Sequence, residues 1–189
     1  MALLISPGAL VCEDARVEGD VTIGSGTVVH PRCSILATSG PIVIGPDCVI
    51  EEQVVIVNDN GGGGGDGGDG GDGGDGAVME IGGMNLFEVG CVVEAARVGS
   101  CNVVEPKAVL GRGCVVGDGC VVGATVKVEA AAAVPDETVL YRAGPEGKQF
   151  ARLQPRSKAR HATQITRYLE ILREPESRCC ILNFHNLKT

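Results

Sequence analysis

The sequence predicts an all-β solenoid of short stacked strands, followed by one α-helix. Three observations support this. An apolar residue returns every six positions along most of the first 140 residues, small residues recur at a fixed place in each hexad, and an amphipathic stretch bounded by prolines follows. The chain also has no Trp, two Tyr and three Phe. Small β-branched residues suit closely stacked strands better than a sandwich built around large rings.

The six-residue period is the strongest of these observations, because such self-similarity is typical of repeat architectures. The count slips by three residues at TSGPIV, passes a glycine tract, and loses one residue before Val98. The residues that open the hexads are Ile5, Val11, Val17, Ile23, Val29, Ile35, Ile44, Ile50, Ile56, Ile81, Phe87, Val93, Val98, Val104, Leu110, Val116, Val122, Val128, Val134 and Leu140.

The remaining hexad positions indicate how each strand is used. The fifth position is usually small and faces inward with the first, whereas the sixth faces outward, because strand side chains alternate. Gly, Asp, Asn and Pro crowd the second to fourth positions, where corners need left-handed or tight backbone. In GRGCVVGDGCVVGA (111–124), the cysteines and Gly117 therefore read as fillers and corners rather than a metal site or phosphate loop.

An aliphatic-Gly-x-x-small-x hexad resembles the hexapeptide repeat of left-handed parallel β-helices. In that family three hexads form one triangular coil, so the chain is expected to form a left-handed parallel β-helix of about seven coils. Periodicity by itself predicts only stacked strands, and the left-handed winding is what the resemblance implies.

The expected organisation is a β-helix over residues 1–141 and a basic C-terminal segment over 142–189. The first part carries 6 Lys/Arg against 20 Asp/Glu, and the second carries 10 against 4. Opposite charge suggests that the two dock together. Residues 59–77 form a Gly/Asp-rich tract that we interpret as a disordered loop, because calcium-binding repeats of this composition need an aliphatic residue in every unit.

The C-terminal segment contains an amphipathic helix at about 157–173, with its apolar residues at i, i+3, i+4 and i+7. The first face of the solenoid is apolar in every coil, and such a row is not expected to stay exposed to water. The predicted contact joins Leu10, Val28, Val49, Leu86, Val103, Val121 and Val139 of the coils to Ile165, Tyr168, Leu169 and Leu172 of the helix.

The second face has an apolar centre, formed by Val55, Val92 and Val109, within a polar rim. This pattern is typical of a protein interface. Glu51, Glu88 and Glu105 are expected to stack at one corner, where they attract a cation or a basic partner. These six residues form the predicted partner interface.

Enzymes occur among hexapeptide β-helices, so a carbonic anhydrase of the gamma class or an acyltransferase is the alternative prediction. Members of those families use three zinc-binding histidines or one histidine base. Only His30 lies in the coils, at a corner where solvent exposure is expected. The inward cysteines are expected to be inert thiols. We therefore predict no catalytic, cofactor-binding or metal-binding residues, and no cofactor.

The acidic body argues against nucleic acid as a partner. No apolar run reaches the roughly 18 to 20 residues of a membrane span. The opening residues lack the features of a secretory signal. Nine cysteines without paired spacing are typical of reduced thiols in the cytoplasm. The expectation is a cytoplasmic protein that binds other proteins.

Four segments resemble the hexapeptide-repeat subunits of dynactin: GDVTIGSGTVVHP (19–31), GPIVIGPDCVIEEQ (40–53), IGGMNLFEVGC (81–91) and VGSCNVVEPKAVLG (98–111). The resemblance covers about residues 5–172 and departs in the glycine/aspartate tract and the last residues. It implies a non-catalytic subunit of a hetero-oligomer, the dynactin pointed-end complex. The implied partners are dynactin subunit 5 and the pointed-end actin-related protein. The implied role is cargo attachment for cytoplasmic dynein in microtubule-based transport, in the cytoplasm and on the cytoskeleton.

Overall fold

The computed structural model describes residues 2–60, 76–143, 147–154, 157–173 and 181–182. Its strands are two to six residues long and form three parallel sheets, one on each side of a solenoid. Two antiparallel strands extend one of these sheets at its ends. This arrangement confirms the predicted solenoid of about seven coils with a C-terminal helix.

Sheet 1 carries the first face and has nine strands. They are β2 Leu10–Cys12, β5 Val28–Val29, β8 Val49–Ile50, β11 Leu86–Phe87, β14 Val103–Val104, β17 Val121–Val122, β20 Thr138–Ala143, β21 Lys148–Leu153 and β22 Ile181–Leu182. Strand β22 pairs antiparallel with β2, and β21 pairs antiparallel with β20.

Sheet 2 carries the second face and has six strands: β3 Arg16–Glu18, β6 Ser34–Ala37, β9 Val55–Asn58, β12 Val92–Val93, β15 Val109–Leu110 and β18 Lys127–Val128. Sheet 3 has seven: β1 Leu3–Ile5, β4 Val21–Ile23, β7 Ile42–Ile44, β10 Met79–Ile81, β13 Arg97–Val98, β16 Val115–Val116 and β19 Ala133–Val134. The single described helix, α1, spans Ser157–Arg173.

The register of the sheets follows the hexads. Each outward residue lies beside its equivalent in the next coil, as in the pairing of Val28 with Val49 and of Val49 with Leu86. The predicted 59–77 loop lies largely outside the described residues. Its insertion leaves the stacking intact, because β10 pairs directly with β7.

The first-position residues fill the interior of the solenoid, where Ile23, Ile50 and Phe87 are completely buried. The fifth-position cysteines lie among them; Cys48, Cys91, Cys114 and Cys120 are 0% exposed. Burial raises the pKa of the Cys33 thiol to about 12, so it stays protonated near neutral pH. These thiols are packing residues, and packing suits their small volume.

Asparagine side chains connect three coils inside the same interior. The Asn85 amide donates to the carbonyls of Gly82 (2.7 Å) and Gly99 (2.8 Å). Its oxygen accepts from the Asn102 backbone N–H, and the Asn102 oxygen accepts from the N–H of Cys120. These bonds satisfy backbone groups that the corners leave without a ladder partner.

Glycine is required at the second hexad position because the coils approach closely there. A Cβ on Gly45 would lie 2.6 Å from the carbonyl carbon of Gly82, and one on Gly99 would lie 2.6 Å from the Gly117 oxygen. The left-handed backbone falls instead at the fourth position, including non-glycine residues such as Met84 and Lys107. Close approach between coils therefore requires glycine at the second position, whereas left-handed backbone occurs at the fourth.

Candidate docking surfaces

Helix α1 packs along sheet 1. Ile165 is 0% and Leu169 is 2% exposed. Both join a cluster with five outward residues of sheet 1, namely Leu10, Val28, Val49, Leu86 and Val103. Val121, Tyr168 and Leu172 pack at the edge of the cluster and are partly buried. Val139 is buried but lies outside this cluster, opposite Arg152 of β21.

Two polar contacts fix the helix on the sheet. The Tyr168 hydroxyl donates to Glu51 Oε1 at 2.9 Å. Burial, together with that bond to Glu51, raises the pKa of Tyr168 to about 12. The Nδ1 atom of His161, a residue only 8% exposed, lies 3.1 Å from the Cys101 carbonyl oxygen. Sequence patterns do not single out His161, because it occupies one turn of an otherwise polar stretch.

The sequence predicts that opposite charges hold the C-terminal segment against the coils, but none of the ion pairs among the described residues joins the two. The described ion pairs, such as Arg32–Glu52 and Arg97–Glu80, lie within the coils. Apolar burial and the Tyr168 and His161 contacts position the helix instead.

Acidification is expected to weaken helix docking through His161. Burial lowers its pKa; the bond to Cys101 opposes this and the nearby Arg160 adds to it. The undocked helix therefore binds more protons below the ordinary histidine pKa of about 6.5, so docking weakens as pH falls from there towards the lowered value. Hydrogen exchange of the α1 amides, corrected for intrinsic rates, should be severalfold faster at pH 5 than at pH 7.5.

The matched variant is His161→Gln, which keeps a donor for the Cys101 carbonyl and removes the titration. The pH effect should disappear in this variant. An equal pH effect in both proteins would show that His161 is not the group responsible.

The three glutamates stack at the corner between sheets 1 and 2. The Glu51 N–H donates to the Phe87 carbonyl, and the Glu88 N–H donates to the Val104 carbonyl. Glu51 Oε2 accepts from the Val89 N–H at 3.1 Å, and Glu105 Oε2 accepts from the Ala124 N–H at 2.8 Å. Burial, followed by repulsion from Glu51 and Glu105, raises the pKa of Glu88. The carboxylates of Glu51 and Glu105 therefore also stabilise the backbone of this corner by accepting hydrogen bonds from it.

His30 belongs to the same column, since its N–H donates to the Ile50 carbonyl. The expected solvent exposure is wrong, because the residue is half-buried and Nε2 is shielded from water. Burial lowers the pKa of His30, against the opposing charges of Glu51 and Glu52. The ring lies beneath the glutamate corner because the coils stack in strict register.

Sheet 2 presents a row of partly exposed valines. Val55 pairs with Val92, and Val92 pairs with Val109. Ser34 and Arg16 continue the row at one end and Lys127 at the other. The result is an apolar strip three coils long between polar ends.

Within the described ranges, no three His, Cys, Asp or Glu side chains come together as a metal site. His185, Cys179 and Cys180 lie outside the described residues. An open groove of about 400 Å³ on sheet 3 is lined by Val43, Glu80, Arg97, Ser100 and Asp118, among others. Of the helical residues described, none forms a stretch long and apolar enough to span a membrane.

The three-sided coil places the chain among the hexapeptide-repeat left-handed β-helix proteins. A solved hexapeptide transferase family protein from Anaplasma phagocytophilum superposes with a TM-score of 0.70. The match covers 89% of this chain and 90% of that one, at 15% sequence identity. At this identity the likeness shows the fold alone.

Sequence comparison identifies the family within this class to which the chain belongs. Dynactin subunit 6 of Nematostella vectensis is 42% identical over 139 residues, covering 74% of this chain and 73% of the relative. Dynactin subunit 6 of Danio rerio is 39% identical over 137 residues, covering 72% and 69%. That of Xenopus tropicalis is also 39% identical, and the match spans 66% of its length. No protein-family model matches the chain. The chain belongs to the dynactin subunit 6 family.

Proposed function

We propose that the chain is a non-catalytic docking subunit of the dynactin pointed-end complex that supports cargo attachment for cytoplasmic dynein. The observation that carries this proposal is the difference between two faces. Sheet 1 is covered by the chain's own helix, whereas the valine row of sheet 2 stays partly exposed. An apolar centre with a polar rim is the usual anatomy of a protein interface.

The proposed partner on sheet 2 is dynactin subunit 5, with the pointed-end actin-related protein nearby. Membership of the dynactin subunit 6 family supports assembly into a hetero-oligomer in the cytoplasm, on the cytoskeleton. A flat face of parallel strands suits a second flat-sided β-helix, because both surfaces are rigid and little conformational entropy is lost on contact.

The placement of the reactive groups supports a structural role. The inward cysteines have raised pKa values and are closed off from solvent. His161 is buried between its own helix and the coils, and Glu51 and Glu105 are hydrogen-bonded at the corner. Each of these groups already has a role in holding the solenoid or its helix.

The double variant Val92→Asp, Val109→Asp is expected to weaken co-purification with dynactin subunit 5 by roughly tenfold or more, because each change places an unpaired carboxylate in the apolar centre of the interface, where burying a charge is costly. The matched control is Val43→Asp, Val115→Asp, which changes outward valines of sheet 3 that are 40% and 41% exposed. This control should bind as the unchanged chain does, and circular dichroism should show both variants folded.

Two results would contradict the proposal. Loss of binding in the sheet 3 variant, with binding kept in the sheet 2 variant, would move the interface to sheet 3. A homotrimer carrying stoichiometric zinc would favour an enzyme of the carbonic anhydrase type over a docking subunit.

A further inference from the structure

The strands β20 and β21 form a hairpin that reaches past the last complete coil. Its first half belongs to the solenoid, since Val139 and Leu140 pair with Val121 and Val122. Its second half continues with the pairs Tyr141–Phe150, Arg142–Gln149 and Ala143–Lys148. The Gln149 side-chain oxygen accepts from the Lys127 N–H at 3.4 Å, so the hairpin also lies against the end of sheet 2.

This hairpin holds an unusual share of the chain's aromatic residues. The chain has two Tyr and three Phe. Phe87 is buried in the core, whereas Tyr141 and Phe150 are 37% and 45% exposed. Their rings stack with centroids 5.8 Å apart. Exposed aromatic side chains grouped in this way are typical of interface anchors.

The hairpin as a whole is cationic, with Arg152 on the side of the stacked rings and Arg142 on the other side. The Arg152 guanidinium lies over the Tyr141 ring, 5.8 Å from its centroid, and donates to the Gln154 side chain. Arg142 donates to the carbonyls of Gly147 (2.9 Å) and Thr125 (3.4 Å). These acceptors are neutral, so no carboxylate among the described residues balances either charge. The strands TVLYRA and KQFARL contain no acidic residue.

We propose that the side of the hairpin formed by Tyr141, Phe150 and Arg152, which strand alternation places together, is a second docking site. Its ligand is an acidic segment of another protein that carries an apolar side chain among its Asp and Glu residues. The stacked rings receive the apolar side chain, and the Arg152 guanidinium pairs with a flanking carboxylate. This site is separate from the valine row and does not depend on the partner proposed for sheet 2.

The charge of the hairpin favours a different protein as the ligand over a second copy of this chain, a nucleic acid or a membrane. A twofold contact between two copies would bring like-charged hairpins together, which is unfavourable at an interface. A contact between one hairpin and the acidic coils of another copy would be head-to-tail and would not close on itself. A nucleic acid or an anionic membrane is large enough to lie against the body as well, where 20 Asp/Glu outnumber 6 Lys/Arg over residues 1–141, whereas a short acidic segment contacts the hairpin alone.

The test uses the full chain with p-benzoylphenylalanine at position 150, expressed in cells and irradiated. Mass spectrometry then maps the residues crosslinked to it. The expected product joins position 150 to a segment of another protein with net negative charge. Adding Arg152→Glu should lower its yield about tenfold, as should Tyr141→Ser, and both side chains are exposed enough for the fold to persist. Arg167→Glu, at an exposed position of α1, is the matched control and should leave the yield unchanged.

The proposal is overturned if position 150 gives no crosslink, or if it crosslinks to a second copy, to a neutral or basic segment, to RNA or to lipid. An undiminished yield with Arg152→Glu and Tyr141→Ser in folded protein also overturns it. Thermal melting of each variant establishes that the fold is kept.

Discussion

Gly45→Ala is expected to destabilise the coils by at least about 3 kcal/mol, or to prevent folding altogether. A Cβ at this position would lie 2.6 Å from both the Gly82 carbonyl carbon and the Gly83 nitrogen. Both are backbone atoms, so no flexible side chain can move aside. The Gly45 N–H donates to the Ile81 carbonyl at 2.7 Å, which holds the two coils together at this point. Separating them would break the ladder along a whole corner, a large loss against a typical stability of 5–15 kcal/mol.

Gly90→Ala is the matched control for this effect. Gly90 has a φ of +68°, but its added Cβ would meet only the Lys107 Cγ, at 3.8 Å. The expected loss is therefore the backbone penalty of roughly 1–2 kcal/mol for a left-handed alanine. Urea unfolding followed by circular dichroism measures both. Equal losses would show that close approach between coils is not the reason for glycine at the second position.

The double variant Ile165→Ala, Leu169→Ala is expected to release α1 from sheet 1. Each truncation of a fully buried aliphatic side chain costs about 2–5 kcal/mol. A free helix of this length is marginal in water. The coils should remain folded, because their interior is a separate apolar cluster. Release would expose the row that includes Val28 and Val49, which should bind the dye ANS and promote association.

Hydrogen exchange separates this outcome from global unfolding. Amides of α1 should exchange at least about tenfold faster, while those of the strands stay protected. Ile171→Ala, at a site on the same helix that is 56% exposed, should leave both unchanged. Retained protection of α1 in the double variant would mean that the packing of Ile165 and Leu169 does not hold the helix in place.

The hexad pattern is sufficient to predict the coils, because one rule repeats in every strand and its register follows from counting. The same count identifies the outward apolar row, and the apolar stripe of the helix identifies what covers it. In both cases many equivalent residues carry the prediction, so a single irregular position does not disturb it.

Features that occur once are harder to predict. The hairpin of β20 and β21 interrupts the period, although the sequence Gly144-Pro145-Glu146-Gly147 between TVLYRA and KQFARL is itself a hairpin signal. Left-handed backbone at Met84 and Lys107 runs against residue preference and is imposed by the coil. The burial of His161 and His30 depends on what lies across from them, which local pattern does not record.

The inward cysteines can report how often each coil of the solenoid opens. Cys33, Cys48, Cys91 and Cys114 belong to four different coils and are almost completely buried. An alkylating reagent can reach each thiol only when its own coil opens. The rate at which mass spectrometry finds each one modified therefore measures how often that coil comes apart, because neighbouring repeats open in contiguous units. These four cysteines therefore mark four coils along the axis of the solenoid. Their relative rates of modification give the order in which the coils open, without an introduced label.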